Sequence, residues 1–440
     1  MKLTAHLGKI TWSLADKGLY ILYGFVQLLQ IKALPAEVYG VFALLVGLNT
    51  WIMIVSDGSA LQGVIQFGTN TEERGRVNAL GIAIHTVISL GAAATVYLFR
   101  HPLAAVVDPE FVTVATLLPL YALLTIPRMF CLKLIYRDMR MRALFAVDLI
   151  WFGVRTAMTV WMIQEGTLTT LDDIVLIDFL GMAATSVAAL AATWKSLEFR
   201  WTGTTSVREY LRFGVPLAVA TALNSTPRQL DVMVIAAFFG VGVVGVYNPA
   251  KNLFRFFEQA YDAVVTLLYP AAVRMYTQHR MEDLQVLVTK AISVTLIPTV
   301  IAVMVLELGA SNVITLLLGE QYRGAVAHFN VLILGALGMP FGLMASVVAA
   351  MGQSTAVVRY SAMGLVVSAA VLISVSVAGW EWAIGLGMAT NTIVVGILTT
   401  LHVRKTVHFP ARALVRMIHD VRLAVQGLNA GLKNRSERGS

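Results

Sequence analysis

The segment from residues 247 to 271, YNPAKNLFRFFEQAYDAVVTLLYPA, is apolar enough to cross a membrane and still carries four charged residues. They follow one another at helical steps of three or four: Lys251, Arg255, Glu258 and Asp262. Such steps keep all four charges on one face of a helix. Basic groups on that face can bind an anion, and carboxyl groups held away from bulk water can exchange protons. We therefore expect a spanning helix whose charged stripe is turned away from lipid.

Other charged residues lie deep inside apolar segments, where a central charge costs about 2.5–3.5 kcal/mol. The predicted anion-binding residues are the deep cations: Arg155, Arg228, Lys251 and Arg255. The predicted ion-coupling or gating residues are carboxylates: Asp16, Asp57, Asp231, Glu258 and Asp262. Charges of both signs occur in similar numbers, so pairing between them is the structural alternative. Arg228 and Asp231, three residues apart beside Pro227, could pair locally.

The composition requires a membrane to hold these residues. The chain has 440 residues, of which 58% are hydrophobic and 13% charged, and its mean hydropathy is +0.75. Soluble domains carry about a quarter charged residues. The apolar runs are nearly continuous, which predicts an all-α integral membrane protein rather than the short alternating strands of a barrel. The single cysteine, Cys131, excludes an internal disulfide and argues against a cysteine-based metal site.

Apolar runs of about 20 residues predict twelve transmembrane helices. We place them at residues 10–31, 41–65, 78–99, 112–133, 143–164, 173–194, 212–238, 246–271, 287–308, 325–350, 359–379 and 382–403. Alternate loops hold nearly all the basic residues, and the intervening loops hold only Lys32, Arg100 and Arg323. Basic loops stay in the cytoplasm, so both termini are predicted to be cytoplasmic. The net charge of +8 then reflects topology rather than nucleic-acid binding.

The even number of helices suggests an internal duplication. Residues 37–58 can be aligned with residues 243–264 so that Gly40 pairs with Gly245 and Asp57 pairs with Asp262. An even shift makes the repeats parallel, related by an axis along the membrane normal. We predict a six-helix bundle over 1–200 (helices one to six), a second over 201–403 (helices seven to twelve), and a basic cytoplasmic tail over 404–440. The tail is predicted to be either an amphipathic interfacial helix or a disordered segment.

Three stretches resemble a known family. LPAEVYGVFALL followed by SDGSALQG resembles the amino-terminal signature of polysaccharide and O-antigen flippases. FGVPLAVATALNSTPRQLDVMVIAAFFGVGVVGVYNPAKNL is similar to the start of their second half, and LLLGEQYRGAVAHFNVLIL to their loop between helices nine and ten. One departure is Gln66, where many relatives place a basic residue. The resemblance implies the multidrug, oligosaccharidyl-lipid and polysaccharide exporter superfamily, with two six-helix bundles in a V shape and a central cavity that alternates access.

The resemblance implies a flippase for undecaprenyl-diphosphate-linked oligosaccharides in the bacterial inner membrane, serving exopolysaccharide, capsule or O-antigen biosynthesis. Deep arginines suit the bidentate recognition of a diphosphate. Alanine at any of the four cations is then expected to reduce export and leave folding intact. The expected partners are the lipid-linked substrate, membrane lipids, and a polysaccharide polymerase with its export machinery; no cofactor or nucleic acid is expected.

Other functions fit less well. The sequence contains no nucleophile elbow, phosphate loop or zinc-binding histidine pair, so no enzyme activity is expected. A multidrug cation antiporter of the same superfamily is the main alternative, although a cationic drug would want an acidic cavity. A flippase of lipid-linked peptidoglycan precursors usually has fourteen helices, which disfavours it. A structural scaffold of a polysaccharide assembly complex is a further alternative.

Overall fold

The structure is a computed structural model that describes residues 4–407, and every regular element in that range is a helix. Its α-helices are α1 Thr4–Ala33, α2 Ala36–Ser56, α3 Gln62–Phe67, α4 Arg74–Leu98, α5 Arg100–Val106, α6 Phe111–Arg137, α7 Met141–Gln164, α8 Leu171–Thr193, α9 Val207–Ser225, α10 Pro227–Phe239, α11 Val241–Thr277, α12 Met281–Leu318, α13 Ala325–Leu334, α14 Met339–Gly342, α15 Met344–Ala350, α16 Ser354–Val377 and α17 Leu386–Thr406. The all-α membrane fold is confirmed. The tail after Thr406 lies almost entirely outside the described residues.

Each predicted span coincides with one helix or with a run of consecutive helices. A π-helical turn at Asp57–Leu61 joins α2 to α3, and only Thr226 separates α9 from α10. Among the residues that the structure describes, nine helical stretches are long and apolar enough to cross a membrane. The predicted spans outside that set are α1, α9 with α10, and α11. The last carries the four-charge stripe, as expected of a helix that lines a polar interior.

The sharp turn between α10 and α11 rests on one residue. Gly240 has a φ of 84°, a conformation that glycine adopts without steric cost. The next residue, Val241, begins α11, and its amide donates to the Asp108 carboxylate at 3.1 Å. The apolar stretch FFGVGVVGV can therefore reverse direction without a polar loop.

Within residues 4–407 the helices form two compact units. The first comprises residues 4–249 and 314–325, and the second comprises residues 250–313 and 326–407. The boundary thus runs inside α11 and α12. The predicted division after residue 200 follows the internal repeat, whereas the two compact units follow the packing of the helices. The predicted division stays a prediction.

Each unit has its own apolar core. In the first, α4, α6, α7 and α8 pack around fully buried side chains that include Leu61, Val64, Cys131 and Leu134. In the second, the core is formed by residues of α11, α12, α15 and α17: Leu268, Leu284, Val288, Val347 and Val403. Both cores hold helices in fixed rotation, which decides where the charged residues point.

The segment that joins α8 to α9 is fastened to the start of α4. The Glu73 carboxylate accepts hydrogen bonds from the amide and hydroxyl of Thr204 at 2.9 and 3.0 Å, and from those of Thr205 at 3.1 and 2.9 Å. These bonds, the backbone amide of Thr204 first, lower the pKa of Glu73 to about 2. The carboxylate therefore stays charged, and holds the linker, throughout the neutral range.

Reporter fusions test the orientation. Fusions at residues 168, 242 and 380 are expected to report the periplasm. Fusions at residues 73, 203 and 355 are expected to report the cytoplasm, because basic loops stay on the cytoplasmic side of the membrane. Paired alkaline phosphatase and fluorescent protein reporters measure this. A cytoplasmic signal at 242 would contradict the pairing of α10 with α11.

Candidate functional site: a buried polar network

The predicted anion-binding cations differ in exposure. Arg155 and Lys251 are buried, with 6% and 1% of their surface exposed, whereas Arg228 and Arg255 are exposed. Arg155 and Arg228 belong to the first unit, and Lys251 and Arg255 to the second. Convergence of all four on one cavity stays a prediction.

Arg155 is already neutralised. Its guanidinium forms an ion pair with Asp178 of α8, which also accepts a hydrogen bond from the Tyr121 hydroxyl. Asp178 is 1% exposed. Pairing with a carboxylate is the structural alternative to anion binding, and at Arg155 that alternative holds.

The surroundings of Arg155 are shaped to hold it. Its guanidinium carbon lies 4.6 Å from the centre of the Tyr23 ring and 5.3 Å from that of Trp151. A Cβ at Gly181 would lie 2.4 Å from Arg155 Cγ, so the glycine leaves room for the arginine stem. Both rings offer a π face to the cation. The side chain is therefore locked between α1, α7 and α8.

A second buried ion pair lies beside the first. Arg128 Nη2 of α6 is 2.5 Å from Asp148 Oδ1 of α7, and both residues are at most 5% exposed. The Arg128 guanidinium carbon stands 4.0 Å from the centre of the Trp151 ring. Trp151 thus contacts both arginines and links the two pairs into one network.

Asp16 brings a third carboxyl to this network. It is 4% exposed and interacts electrostatically with Asp148. Tyr20, one turn further along α1, also interacts with Arg128. Two carboxyl groups can hydrogen-bond to each other only when one of them carries a proton. The ion-coupling role of Asp16 stays a prediction.

The buried network contains more acidic groups than basic groups. The buried network contains three carboxyl groups and two guanidinium groups: Asp16, Asp148, Asp178, Arg128 and Arg155. An uncompensated buried charge is costly, so one bound proton makes the network electrically balanced.

Sequence reasoning missed most of this network. It placed Asp16 and Arg155 at sites but did not identify Arg128, Asp148 and Asp178 as their partners. One signal was present, because Asp148, Trp151 and Arg155 follow at steps of three and four and share a face of α7.

Asp57 is tied to another helix of the first unit. Lys133 Nζ lies 2.8 Å from its Oδ1 and 3.0 Å from its Oδ2, and Gln62 Nε2 donates to Oδ2 at 2.8 Å. Lys133 is the last residue of the predicted span 112–133, and α6 continues past it to Arg137. Asp57 opens the π-helical turn, a feature frequent at functional sites. Its gating role stays a prediction.

Asp231 is 1% exposed and joins α10 to α11. Its Oδ2 accepts a hydrogen bond from the Tyr247 hydroxyl at 2.7 Å, and its Oδ1 accepts one from the amide of Val232 at 2.7 Å. In the second unit, Glu258 is half-buried and Asp262 is exposed. The ion-coupling or gating roles of these carboxylates stay predictions.

A cavity of about 270 Å³ separates the middle of α2 from α10. Its walls are mainly apolar and are formed by Leu44, Gly47, Leu48, Trp51, Thr226, Gln229, Leu230, Val232 and Met233. The Trp51 indole donates to the Thr226 hydroxyl at 3.1 Å. Over residues 4–407, no group of three or more histidine, cysteine or acidic residues could hold a metal ion.

Comparison with known sequences gives two findings. A family model described as "Polysaccharide biosynthesis protein" matches residues 34–327. The chain is also 30% identical over 142 residues to "Lipopolysaccharide biosynthesis protein WzxC" of Escherichia coli (strain K12). That alignment covers 31% of this chain and only 28% of the relative's length.

Solved structures show the fold. An inward-facing multidrug resistance MATE family transporter of the MOP superfamily matches with a TM-score of 0.72 at 14% identity, over 90% of this chain and 95% of that one. The lipid II flippase MurJ in an inward closed conformation matches with a TM-score of 0.72 at 14% identity, over 92% of this chain and 89% of that one. The predicted fold class is confirmed.

Proposed function

We propose that this chain, which belongs to the family of polysaccharide biosynthesis proteins, is a flippase for lipid-linked oligosaccharides. The family match over residues 34–327 carries this proposal, and the fold shared with a lipid II flippase supports it. The substrate is an undecaprenyl-diphosphate-linked glycan that crosses the bacterial cytoplasmic membrane for surface polysaccharide biosynthesis. Both termini face the cytoplasm, and the flipped glycan passes to a polymerase and export machinery.

The exposure of the four cations indicates which of them can contact the substrate. Arg228 and Arg255 are exposed and suit direct contact with a diphosphate or an acidic sugar, whereas Arg155 is held by Asp178 and Lys251 is buried. A guanidinium group can bind two phosphate oxygens at once. We therefore assign the first contacts with the substrate to Arg228 and Arg255.

The buried network supplies the energy coupling. With three carboxyl groups against two guanidinium groups, it binds one proton when neutral. Arg128 pairs with Asp148, so we assign the proton to Asp16. Proton movement through Asp16 then drives the substrate cycle, while Asp231 and Glu258 remain further candidates.

A multidrug cation antiporter is the second candidate, because the MATE transporter matches the chain as well as MurJ does. Deleting the gene is expected to abolish surface polysaccharide and to leave lipid-linked oligosaccharide in the inner leaflet. Drug susceptibility should stay unchanged. Labelled-glycan export and drug accumulation, measured in one deletion strain with and without a plasmid copy, separate the two functions. Normal polysaccharide with increased drug accumulation would overturn the flippase proposal in favour of the antiporter.

A further inference from the structure

The segment between α8 and α9 is held against α4 by hydrogen bonds to its backbone. The amide of Arg200 donates to the Gly75 carbonyl oxygen at 3.0 Å. Asn78 Nδ2 donates to the carbonyl oxygens of Ser196 and Glu198 at 3.2 and 3.0 Å. Because these bonds fix the backbone of the segment, they also fix the directions in which its side chains project.

The same segment exposes three large aromatic side chains. Trp194 is 77% exposed, Phe199 51% and Trp201 67%. Arg76 holds Trp201 in place, because its Nη1 donates to the Trp201 carbonyl oxygen at 2.8 Å and its guanidinium carbon lies 5.9 Å from the ring centre. Tryptophan is enriched at the membrane–water interface, where the apolar part of its ring leaves water and its N–H stays close to polar groups.

The contact of Phe199 indicates the depth of the segment in the membrane. Its ring stacks on that of Phe130, with the ring centres 5.9 Å apart and the planes 25° apart. Phe130 belongs to α6, which is long and apolar enough to cross a membrane. Trp194 directly follows α8, another such helix. The exposed rings thus lie at the ends of spanning helices, at the level of the lipid headgroups.

Basic side chains accompany these rings. Lys195 and Arg200 of the segment are exposed. Arg140 is also exposed, and its Nη1 donates to the Ala192 carbonyl oxygen at the end of α8 at 2.8 Å. Glu198 is an exposed acid of the same segment, so the basic residues are in excess. Lysine and arginine near a membrane surface attract anionic lipids, and this surface therefore matches an anionic headgroup better than a zwitterionic one.

We propose that Trp194, Lys195, Phe199, Arg200 and Trp201 form a docking surface for anionic phospholipid headgroups, which we call the linker surface. Lys195 and Arg200 contact the phosphate groups, and the three rings lie among the glycerol groups and upper acyl chains. The predicted topology places the linker surface in the cytoplasmic leaflet. This inference goes beyond the proposed transport function, because the phospholipid is a bound partner rather than the transported substrate.

Site-specific fluorescence quenching tests the linker surface. Thr202→Cys, at an exposed position, provides the site for an environment-sensitive fluorophore, and buried Cys131 stays in place. The purified full-length chain is placed in phosphatidylcholine bilayers that contain phosphatidylglycerol spin-labelled near the glycerol or, separately, phosphatidylcholine labelled in the same way. Quenching by the labelled phosphatidylglycerol is expected to be stronger at equal mole fraction, and salt should reduce the difference.

Removal of charge gives the matched comparison. Lys195→Gln with Arg200→Gln retains the first side-chain carbons, including those of Arg200 that pack over Gly75. This double variant should reduce the preference for phosphatidylglycerol by roughly five-fold for each cation removed. The control, Arg274→Gln with Lys290→Gln, removes two exposed cations of the second unit and should leave the preference unchanged.

The possible outcomes separate the linker surface from other interpretations. Equal quenching by the two lipids before any charge is removed, a preference that salt does not change, or an unchanged preference in the folded double variant would overturn it. Quenching by neither lipid would also overturn it, and would leave a protein as the partner of the exposed rings. Thermal unfolding shows whether each variant is folded. None of these results bears on the flippase proposal, which the deletion strain tests separately.

Discussion

Replacing Arg155 with alanine is expected to destabilise the protein by about 3–5 kcal/mol, because the change leaves Asp178 as an unpaired buried carboxylate. The guanidinium also covers the rings of Tyr23 and Trp151, and its removal opens a void between α7 and α8. Thermal unfolding in detergent and in lipid measures the loss. This prediction is the opposite of the expectation from sequence alone, that Arg155→Ala spares folding.

Two further variants separate structure from function. Arg155→Met with Asp178→Leu removes both charges and should recover most of the stability, since paired removal of a buried ion pair is often neutral. Arg255→Ala, at an exposed cation, should change stability by less than about 0.5 kcal/mol and still reduce export. If the double variant also exports normally, the ion pair is structural only. An unchanged melting temperature in Arg155→Ala would contradict the buried-pair argument itself.

The contrast between Arg155 and Arg255 shows what sequence can predict. Helical periodicity and apolar length located every span, because both are properties of a short segment. The family motifs gave the fold. Partners on other helices were beyond this reasoning, since they depend on how each helix is rotated in the bundle. Lys133 illustrates this: the predicted span ends on it, but nothing in the segment indicated that it would lie beside Asp57.

Gly40 and Gly245 show a second limit of prediction from sequence. The repeat alignment placed Gly40 on Gly245, which indicates equivalent positions in two halves. It could not indicate that the two positions touch, because a repeat axis can bring equivalent residues together or hold them apart. Only the packing of α2 against the start of α11 decides this.

Asparagine at position 16 is expected to abolish proton-driven transport and to leave the protein folded. The amide is uncharged at every pH and can donate permanently to Asp148, so it imitates the protonated carboxyl. The network then keeps its charge balance but cannot release a proton. Transport down a substrate gradient should therefore continue, whereas its response to an imposed pH gradient should disappear. Proteoliposomes loaded with a fluorescent lipid-linked oligosaccharide measure both quantities.

The neighbouring carboxyl gives the decisive comparison. Asp148→Asn leaves Arg128 without its 2.5 Å partner, so Asp16 must ionise to replace it and the bound proton is lost. This variant should lose stability as well as coupling, whereas Asp16→Asn should lose coupling alone. Glu72→Gln, at an exposed acid of the first unit, serves as the control and should change neither. If Asp16→Asn still responds fully to the pH gradient, the coupling proton binds outside this network, and Asp231 and Glu258 become the residues to test.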